Sequence, residues 1–409
     1  MNKNQHIPQG YKSSPLGIIP EDWEVKRLGE IGEVLMCKRI MKYQTEPCGD
    51  IPFFKIGTFG GTPDAYISKE IFDEYKAKYS YPKVGDVLIS AAGTIGRSVI
   101  FDGTPSYYQD SNIVWIDNDN KQLLNKYLFY YYSTINWITD TGTIPRLYNG
   151  ALKAIQIPLP PIEQQKQIVS ILELWDTAIE KQTQLVEKLT LRKRGLMQQL
   201  LTGKKRLKGF EGEWKEVKLG EIGTFFKGNG VPKNKIIGVG HKCLTYGDLY
   251  TKYDFVISNV KSFIDDETAL ISTEIKYGDI CFAGSGETKE DIGKCAAFID
   301  DQIGYAGGDI IVFRANDFNP ITLSYILNSE NVIKQKSNMG QGHSVVHIYP
   351  YQLEKLTFTM PTRKEQNAIA SVLIQADKGI ELANKKLLQL QAQKRGLMQV
   401  LLTGKKRVR

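Results

Sequence analysis

The sequence predicts a mixed α/β (α+β) protein in which two globular domains are separated by two long helices forming an antiparallel coiled coil, with an internal pseudo-two-fold repeat. Three observations support this fold class: a segment present twice, a shorter phrase repeated upstream of each copy, and apolar heptads leading into each copy. A repeat of about half the chain indicates two copies of one structural unit. The predicted domains are 1–160 and 207–360, and the predicted helices are 161–206 and 361–409.

The duplicated segment reads KRGLMQQLLTGKKR at Lys193–Arg206 and KRGLMQVLLTGKKR at Lys394–Arg407. The copies differ at one position, Gln199 against Val400, and are offset by 201 residues (394 − 193). The same offset holds upstream as far as Pro160. The near-identity of the copies predicts one surface that is presented twice.

Each unit also begins with a related phrase. Trp23–Gly32 reads WEVKRLGEIG, and Trp214–Gly223 reads WKEVKLGEIG. This offset is 191 residues (214 − 23), so the second unit carries a net insertion of ten residues (201 − 191). Each unit is therefore predicted to have a conserved start and a conserved end around a divergent body.

The two bodies share a frame but little sequence. Short apolar runs broken by Gly, Pro, Asn and Asp predict short strands and turns. Gly85–Ile89 and Gly278–Phe282 each read as a Gly-Asp turn and a buried strand, followed by the Gly-rich loops Ala91–Arg97 and Gly284–Lys294. Two later stretches are predicted to be helical: Lys121–Ile135 and Ile321–Gln335.

After each body, apolar residues recur at alternating spacings of three and four, the pattern of a coiled-coil seam. Each helix would be roughly 58 Å long at 1.5 Å per residue, and an antiparallel pairing would place the two bodies at opposite ends. Only Gln182, Lys193 and Lys394 interrupt the stripe. The predicted core comprises Ile168, Leu172, Trp175, Ile179, Leu189, Leu196, Ile369, Leu373, Ile380, Leu387, Leu390 and Leu397.

Glycines mark two further features of these helices. Gly203 and Gly404 follow the last periodic residues and are predicted to be left-handed caps. Gly195 and Gly396 fall mid-helix, where glycine costs about 1 kcal/mol relative to alanine. A close helix crossing or a partner contact would explain them, and simple tolerance is the alternative.

Composition excludes several classes of protein. The chain has five cysteines without a CxxC pair, which argues against a disulfide framework or a zinc knuckle. No apolar run is long enough to span a bilayer and no signal core is present, so we expect a cytoplasmic protein without membrane association. The net charge of +8 is concentrated in the helical segments. It indicates either a solvated helix face or a surface near nucleic acid or an acidic partner.

Together, these features carry a family resemblance. The strongest pieces are Ile157–Gln165 (IPLPPIEQQ), the two Leu-Leu-Thr-Gly-Lys helix ends and the duplication itself. The chain resembles the specificity subunit of type I restriction–modification systems over essentially its whole length. The second boundary, Met360–Gln366 (MPTRKEQ), departs from the pattern because it lacks the second proline.

The resemblance implies that each body is a target recognition domain reading one half of a split, asymmetric sequence in double-stranded DNA. It implies that the coiled coil sets the distance between half-sites and docks two modification (methyltransferase) subunits, with restriction subunits joining the full complex. S-adenosylmethionine, ATP and magnesium would belong to those partners, so this chain would bind no cofactor and hold no catalytic residue. The alternative is a stand-alone coiled-coil DNA-binding or adaptor protein without an enzyme partner.

Within the bodies, candidate DNA contacts rest on residue type and matched position. Basic residues ending the Gly-rich loops could clamp phosphates, or they could be solvated. Polar and aromatic residues could reach base edges, or they could lie in an interior strand with one polar face. Arg146 and His347 occupy matched positions and differ in type, as half-site reading or drift would produce. The candidates are Arg97, Tyr107, Tyr108, Gln109, Asn112, Arg146, Lys294, Gln341, His343 and His347.

Other catalytic motifs are absent or weak. The sequence has no GxxxxGK[ST] phosphate loop and no Asn-Pro-Pro-Tyr methyltransferase motif. His343 and His347 are four apart but lack the glutamate of a zinc protease motif, so no metal site is predicted. Pro63-Asp64 followed by Glu74-Tyr75-Lys76 resembles a nuclease pattern, which could hold a metal for phosphodiester cleavage or could arise by chance.

Overall fold

A computed structural model of the chain describes residues 7–137, 146–342 and 345–408. It divides into two compact units, Met1–Thr183 with Lys385–Arg409, and Gln184–Asn384. The division falls within the long helices, so each unit contains one body and a part of both helices. The predicted domain boundaries at 160, 206 and 360 follow sequence patterns instead, and they stay predictions.

The first unit contains eleven strands among the described residues. They are β1 (Tyr11–Ser14), β2 (Gly17–Pro20), β3 (Glu24–Arg27), β4 (Val34–Met36), β5 (Ile51–Phe54), β6 (Tyr66–Ile67), β7 (Val87–Ser90), β8 (Ser98–Ile100), β9 (Tyr107–Tyr108), β10 (Ile113–Ile116) and β11 (Gln156–Leu159). Its helices are α1 (Leu28–Ile31), α2 (Lys69–Lys78), α3 (Asn125–Tyr132), α4 (Asn149–Ala154) and α5 (Ile162–Leu200), which continues into the second unit.

The second unit contains thirteen strands among the described residues. They are β12 (Lys215–Lys218), β13 (Gly223–Lys227), β14 (His241–Leu244), β15 (Val256–Ile257), β16 (Ser262–Ile264), β17 (Thr273–Ile275), β18 (Ile280–Ala283), β19 (Ser285–Gly286), β20 (Cys295–Phe298), β21 (Gly304–Ala306), β22 (Ile310–Ala315), β23 (Val346–His347) and β24 (Thr357–Met360). Its helices are α6 (Tyr246–Thr251), α7 (Asp266–Ile271), α8 (Pro320–Leu327), α9 (Glu330–Met339), α10 (Pro350–Leu353) and α11 (Arg363–Leu401), which continues into the first unit.

The main sheets of the two units are related. The order is β4-β10-β7-β8 in the first unit and β13-β22-β18-β20-β15 in the second. The predicted Gly-Asp strands are the central β7 and β18, whose residues are all buried. Gly85 and Gly278 precede them with φ of 93° and 98°, a conformation that a side chain would strain. A second sheet completes each body, with the order β6-β5-β9 in the first unit and β16-β14-β21-β17 in the second.

The repeated phrases at the start and end of each unit pair with each other. β3 pairs antiparallel with β11, with Arg27 opposite Gln156, and β12 pairs with β24, with Lys218 opposite Thr357. The chain entering each body is therefore fixed beside the chain that leaves it for the long helix. This pairing explains why both phrases recur while the intervening residues diverge.

Each body shares a hydrophobic core with its part of the long helices. In the first unit, Ile168 and Leu172 of α5 join Leu401 of α11 in the cluster that also contains Trp23 and Ile157. In the second unit, the corresponding cluster contains Leu200, Ile369, Leu373, Leu219 and Phe358. Burial of the apolar helix stripe against the body stabilises both elements.

The prediction of the two long helices is confirmed. α5 and α11 are each 39 residues long, and none of the predicted seam residues is exposed. In the second unit, Arg206 pairs with Glu365 and Lys193 with Asp377, so α5 and α11 run antiparallel there. Gly203 and Gly404 end the helices with φ of 68° and 72°, which confirms the predicted left-handed caps.

Two local predictions differ from the structure. The first predicted body helix is shorter, covering Asn125–Tyr132, because Asn118 and Asn120 hold the preceding turn through side-chain bonds. The second is divided into α8 and α9, where the Asn328 side chain donates to the carbonyl groups of Cys295 and Ser324. Side-chain bonds to the backbone compete with helix continuation at such positions.

Candidate nucleic-acid interface

The Gly-rich loop and the segment before the last body helix form the same backbone pairing in both units. Leu147 N donates to Ala91 O at 2.8 Å, and Ile348 N donates to Gly284 O at 3.0 Å. Ala92 bridges Arg146 in the first unit, and β19 pairs with β23 in the second, with Ser285 opposite His347. The matched positions predicted from the sequence therefore lie at matched places in the fold.

In the first unit, this pairing presents a basic residue beside an aromatic ring. Arg146 is exposed, and its Nη2 donates to Ser111 Oγ at 3.0 Å. The guanidinium lies 5.9 Å from the centroid of the Tyr148 ring, and the tyrosine is 60% exposed. A guanidinium held by one hydrogen bond and a ring retains donors that could reach a base edge or a phosphate.

In the second unit, the same place presents a histidine and stacked tyrosines. His347 Nδ1 lies 3.0 Å from Ser285 Oγ. The imidazole stacks against the Tyr349 ring, with the ring centroids 6.5 Å apart. Tyr349 stacks on Tyr351 at 5.9 Å, and Lys355 Nζ lies 5.8 Å from the Tyr351 centroid. The two units thus share the backbone and the neighbouring tyrosine but differ in the presented side chain.

The basic residues that end the Gly-rich loops have intramolecular partners. Arg97 is exposed, and its Nη1 donates to Phe59 O at 2.8 Å. Lys294 is half-buried, and its Nζ donates to Tyr253 O at 2.9 Å and lies 4.0 Å from Asp254. Arg97 keeps free donors for a phosphate, whereas the Lys294 ammonium would have to leave a carbonyl. Their roles as phosphate clamps stay predictions.

Base contacts by Tyr107 and Tyr108 require a correction. The two residues are 0% and 6% exposed, so the alternative of an interior strand applies to them. Tyr108 stacks on Phe54 at 5.7 Å, and Tyr107 packs against Tyr75 and Tyr81. Burial raises the pKa of Tyr107 well above its ordinary value. Tyr107 and Tyr108 are consecutive in β9, so their side chains point to opposite faces of the sheet, and both faces are buried.

The remaining candidates stay predictions. Gln109 is half-buried, and its Oε1 accepts from Ile56 N at 2.8 Å, which ties it to the neighbouring turn. Asn112 is half-buried and follows Ser111, and Gln341 is exposed and exchanges two backbone bonds with His347. His343 lies outside the described residues.

Sequence reasoning missed two clusters that join the bodies to the long helices. In the first unit, Asp176 of α5 forms an ion pair with Lys394 of α11 and accepts from Tyr130 Oη at 2.6 Å. Burial, followed by this bond to a carboxylate, raises the Tyr130 pKa. The only signal in the sequence was that lysines interrupt the apolar stripe.

The second unit contains the equivalent cluster. Asp377 of α11 forms an ion pair with Lys193 of α5 and accepts a hydrogen bond from Tyr325 Oη. Lys193 Nζ also lies 4.7 Å from the Phe255 ring centroid and 5.4 Å from that of Tyr325. Burial, followed by the bond to Asp377, raises the Tyr325 pKa.

A buried glutamine holds the start of each long helix to its body. Gln165 donates to Pro160 O and Gln122 O at 2.8 Å and accepts from Leu124 N at 2.8 Å. Gln366 donates to Pro361 O at 2.9 Å and accepts from Asn319 N at 2.8 Å. The repeated glutamine of the boundary motif therefore satisfies backbone groups between the body and the helix.

The duplicated segments line two matched grooves. The first groove, about 640 Å³, is lined by Ser133, Thr134, Ile179, Gln391, Lys394, Arg395, Met398 and Gln399. The second groove, about 870 Å³, is lined by Arg194, Met197, Gln198, Gln199, Leu201, Thr202, Lys204, Asn328, Ser329, Glu330, Asn331, Ile333 and Lys334. An arginine, a methionine and a glutamine at equivalent repeat positions therefore face each groove.

The mid-helix glycines Gly195 and Gly396 do not mark a close helix crossing. Outside its own helix backbone, a Cβ added at either position would meet no atom of the described residues within 4 Å. The crossing explanation is wrong for the described structure because no neighbouring helix approaches there. A partner contact and simple tolerance are the explanations that remain.

The acids of the nuclease-like pattern have separate partners. Asp64 pairs with Lys55 at 2.8 Å, Glu74 pairs with Lys78 at 2.9 Å, and Lys76 lies over the Phe72 ring. Among the residues that the structure describes, no group of three or more His, Cys, Asp or Glu side chains could hold a metal ion. In that part of the chain, no helix has the length and apolar character to cross a membrane.

Comparisons with known proteins give a consistent family. The family model described as the type I restriction modification DNA specificity domain matches residues 20–190 and 211–392. A putative type I restriction enzyme specificity subunit from Haemophilus influenzae, S.HindORF215P, is 62% identical over 160 residues, which are 39% of this chain and 42% of that protein. The putative type I restriction enzyme MjaX specificity subunit from Methanocaldococcus jannaschii is 28% identical over 98% of this chain and 97% of its own length.

Solved structures share the fold. The type I restriction–modification S subunit from M. genitalium has a TM-score of 0.56 at 15% identity, covering 93% of this chain and 96% of that one. A chain from work on complex assembly and conformational transition of the type I R-M system has a TM-score of 0.58 at 16% identity, covering 94% and 98%. Because the family model matches both repeats and most of the sequence, the protein belongs to the type I restriction–modification DNA specificity family.

Proposed function

We propose that this chain is a non-catalytic specificity subunit that reads a split, asymmetric target in double-stranded DNA, one half with each unit. The observation that carries the proposal is the matched backbone pairing that presents Arg146 and Tyr148 in one unit and His347 and Tyr349 in the other. Equivalent placement supports equivalent use, and different side chains support different base sequences. Arginine and histidine have different donor patterns, and side-chain donors discriminate base edges.

Methylation mapping at base resolution tests the target. In cells that carry this gene with its neighbours, we expect a split adenine-methylated motif that disappears when the gene is deleted. Arg146→Ala is expected to relax one half of that motif and His347→Ala the other, each weakening recognition by about 1–3 kcal/mol, or roughly 5–150-fold. Lys121→Ala, at an exposed lysine of the first unit, is the control and should leave the motif unchanged. Equal losses in both halves from one substitution would contradict the assignment.

The two matched grooves are proposed to dock two methyltransferase subunits. The support is that Arg194, Met197 and Gln198 recur in the other groove as Arg395, Met398 and Gln399, in the only nearly identical segment of the repeat. Two copies of a surface that bind the same partner are under the same constraint, whereas the two bodies would read different DNA sequences and can diverge. The methyltransferase subunits would bring S-adenosylmethionine, and restriction subunits joining that core would use ATP and magnesium.

Co-purification tests the docking sites. We expect the tagged chain, expressed with its neighbouring genes, to bring down two methyltransferase subunits. Arg194→Glu or Arg395→Glu should reduce this to one, and the double variant should bring down none. Lys181→Glu, an exposed position on α5, makes the same charge change outside both grooves and should not alter the ratio.

The same experiment separates the alternatives. A wild-type chain that brings down no methyltransferase would favour a stand-alone DNA-binding or adaptor protein. The nuclease hypothesis predicts that the chain alone nicks DNA with magnesium and that Asp64→Ala abolishes nicking. We expect no nicking, because the proposed function assigns all catalysis to partner subunits working in the cytoplasm.

The coiled coil is proposed to set the distance between half-sites. Deleting one heptad, Gln182–Lys188, together with the matched heptad Ala383–Gln389, removes about 10 Å from each helix at 1.5 Å per residue. We expect a methylated motif with a shorter spacer and unchanged half-sites. Altered half-sites with an unchanged spacer would contradict the proposal.

A further inference from the structure

We infer that the two Lys–Asp–Tyr clusters fix the register of the antiparallel long helices and tie each recognition domain to that register. The clusters consist of Lys394, Asp176 and Tyr130 in the first unit and Lys193, Asp377 and Tyr325 in the second. The inference rests on the proposed function only for its effect on DNA spacing. The register itself is a property of the isolated chain.

The lysines of both clusters lie at buried positions of the coiled-coil seam, where a charge without a partner is costly. The Lys193 and Lys394 side chains are only 10% and 16% exposed, and both lie on the apolar seam. Each ammonium also lies about 5 Å from a tyrosine ring, which favours a cation at that place. A polar residue at one seam position of a coiled coil specifies register at a cost in stability.

The apolar positions around the clusters do not choose a register by themselves. Lys193 is flanked on its helix by Leu189 and Leu196, and Asp377 by Leu373 and Ile380. A shift of one helix by a heptad would still set apolar residues against apolar residues. Along the seam, register discrimination therefore depends on the few positions that are not apolar, and the Arg206–Glu365 pair adds to it at one helix end.

A heptad shift would break both ion pairs at once. Lys193 would face Ala370 or Asn384 in place of Asp377, and Lys394 would face Val169 or Thr183 in place of Asp176. In either shifted register, no aspartate or glutamate occupies the position that faces either lysine. The cost of desolvating a charge without a partner would oppose the shifted states.

The same residues also oppose a parallel arrangement. Because the repeat offset is 201 residues for both members, a parallel, in-register pair would set Lys193 against Lys394 and Asp176 against Asp377. Like charges facing each other in a seam are destabilising. The antiparallel pairing turns both repulsions into attractions.

The tyrosines extend this register to the bodies. Tyr130 lies on α3 and Tyr325 on α8, and each donates to the aspartate that receives the lysine. A helix that moved along its axis would lose its partner helix and its body contact together. Tyr130 and Tyr325 are therefore positioning residues for their recognition domains.

The test compares a neutral variant with a charge-conserving one in the full chain. The neutral variant carries Lys193→Met, Asp377→Asn, Lys394→Met and Asp176→Asn, which removes the charges and keeps an acceptor for each tyrosine. The charge-conserving variant carries Lys193→Arg and Lys394→Arg. For the distance measurement, Leu191→Cys and Leu382→Cys each carry a nitroxide label. Leu191 and Leu382 lie in the second unit and are 68% and 67% exposed, and Cys48→Ser removes the exposed native cysteine.

Double electron–electron resonance should give a single peak in the distance between the two nitroxides, both for the labelled parent chain and for the arginine variant. The neutral variant should give a second population displaced by up to about 10 Å, one heptad of rise. A single unshifted peak in the neutral variant would overturn the inference. Loss of helical folding in that variant would overturn it too, because a register device predicts a folded chain.

Methylation of DNA by the full complex gives the second readout. The neutral variant should methylate targets with more than one spacer length, whereas the arginine variant should keep the native spacer. A neutral variant with the single native spacer would overturn the link to DNA spacing. A wild-type complex that methylates no split motif would refute the proposed function and leave the distance measurement on the isolated chain to decide the register.

Discussion

In the first unit, the Gly-Asp turn buries Asp86 without an ion pair in the described part of the chain, whereas in the second unit the same turn buries Asp279 against Arg314. Both carboxylates accept a backbone bond at 2.8 Å, from Lys83 N and Lys276 N respectively. Arg314 adds two bonds of 2.7 Å to Asp279, and Asn125 Nδ2 lies 3.4 Å from Asp86.

This difference separates two kinds of shared residue. The aspartate is common because it satisfies its own turn, and its further partner is specific to each unit. The same distinction applies at the Gly-rich loops, where the backbone pairing is common and Arg146 or His347 is specific. At these two places, the repeated feature belongs to the backbone, whereas the residues that differ face solvent or the unit's own core.

The largest expected effect is on the shared glutamines. Gln165→Leu leaves one buried N–H and two carbonyl groups without their partner, and we expect a loss of about 3 kcal/mol in the free energy of unfolding. Gln366→Leu removes two bonds, and we expect about 2 kcal/mol. Urea denaturation measures both losses, and hydrogen exchange should assign each to its own unit.

Gln167→Leu is the matched control, because Gln167 is exposed two residues further along α5. It should change stability by no more than about 0.5 kcal/mol. Equal exchange rates in the two units of the Gln165 variant would show that the glutamine does not act locally, and would weaken the comparison between repeats.

A smaller effect is expected where the units differ. Arg314→Met leaves the Asp279 carboxylate, which is 1% exposed, without its guanidinium. We expect a loss of about 2 kcal/mol in the second unit, below the usual cost of breaking a buried ion pair because the Arg314 side chain is partly exposed. Arg314→Lys should restore part of the loss. An unchanged unfolding midpoint in urea would show that the Arg314–Asp279 ion pair does not stabilise the second unit.

For Asp86, which has no ion-pair partner among the described residues, we expect the charged carboxylate to destabilise its unit. Burial raises the pKa of the Asp86 carboxyl, so the folded state holds its proton more tightly than the unfolded state. The contribution of Asp86 to the stability of the first unit should therefore fall as the pH rises from about 3.8 through the raised pKa, and then stay level. Asp86→Asn should remove this fall and leave the second unit unaffected. Stability curves between pH 3 and 8 measure the difference.

Much of the shared scaffold could be predicted from the sequence because its determinants are local. The heptad stripe located both long helices, and the cap glycines Gly203 and Gly404 follow their last helical residues, Leu200 and Leu401, closely. The Gly-Asp phrases located the central strands β7 and β18. These features depend on residues close in sequence, whose spacing carries the structural information.

The candidate interface was less predictable because its determinants are distant in the chain. Tyr107 is a candidate DNA contact by residue type, but it lies in an aromatic core with Tyr75 and Tyr81, which come from other parts of the chain. Tyr130 and Tyr325 were missed because they meet aspartates 46 and 52 residues away. The lysines that interrupt the seam were visible, but their partners were not.

The smallest expected effect concerns the one region that the two units share almost completely. A methyl group added at Gly195 or Gly396 meets open space, and alanine is favoured over glycine in a helix by about 1 kcal/mol. Gly195→Ala and Gly396→Ala should therefore each stabilise the isolated chain by up to about 1 kcal/mol in urea denaturation.

If the glycines allow a partner to approach the helix backbone, the same variants should weaken methyltransferase binding despite the gain in stability. A more stable chain with unchanged binding would leave tolerance as the explanation and would confine docking to the grooves. Weaker binding from both variants, but not from Gly379→Ala, another helical glycine in open space, would extend the docking surface onto the glycine face of each duplicated segment.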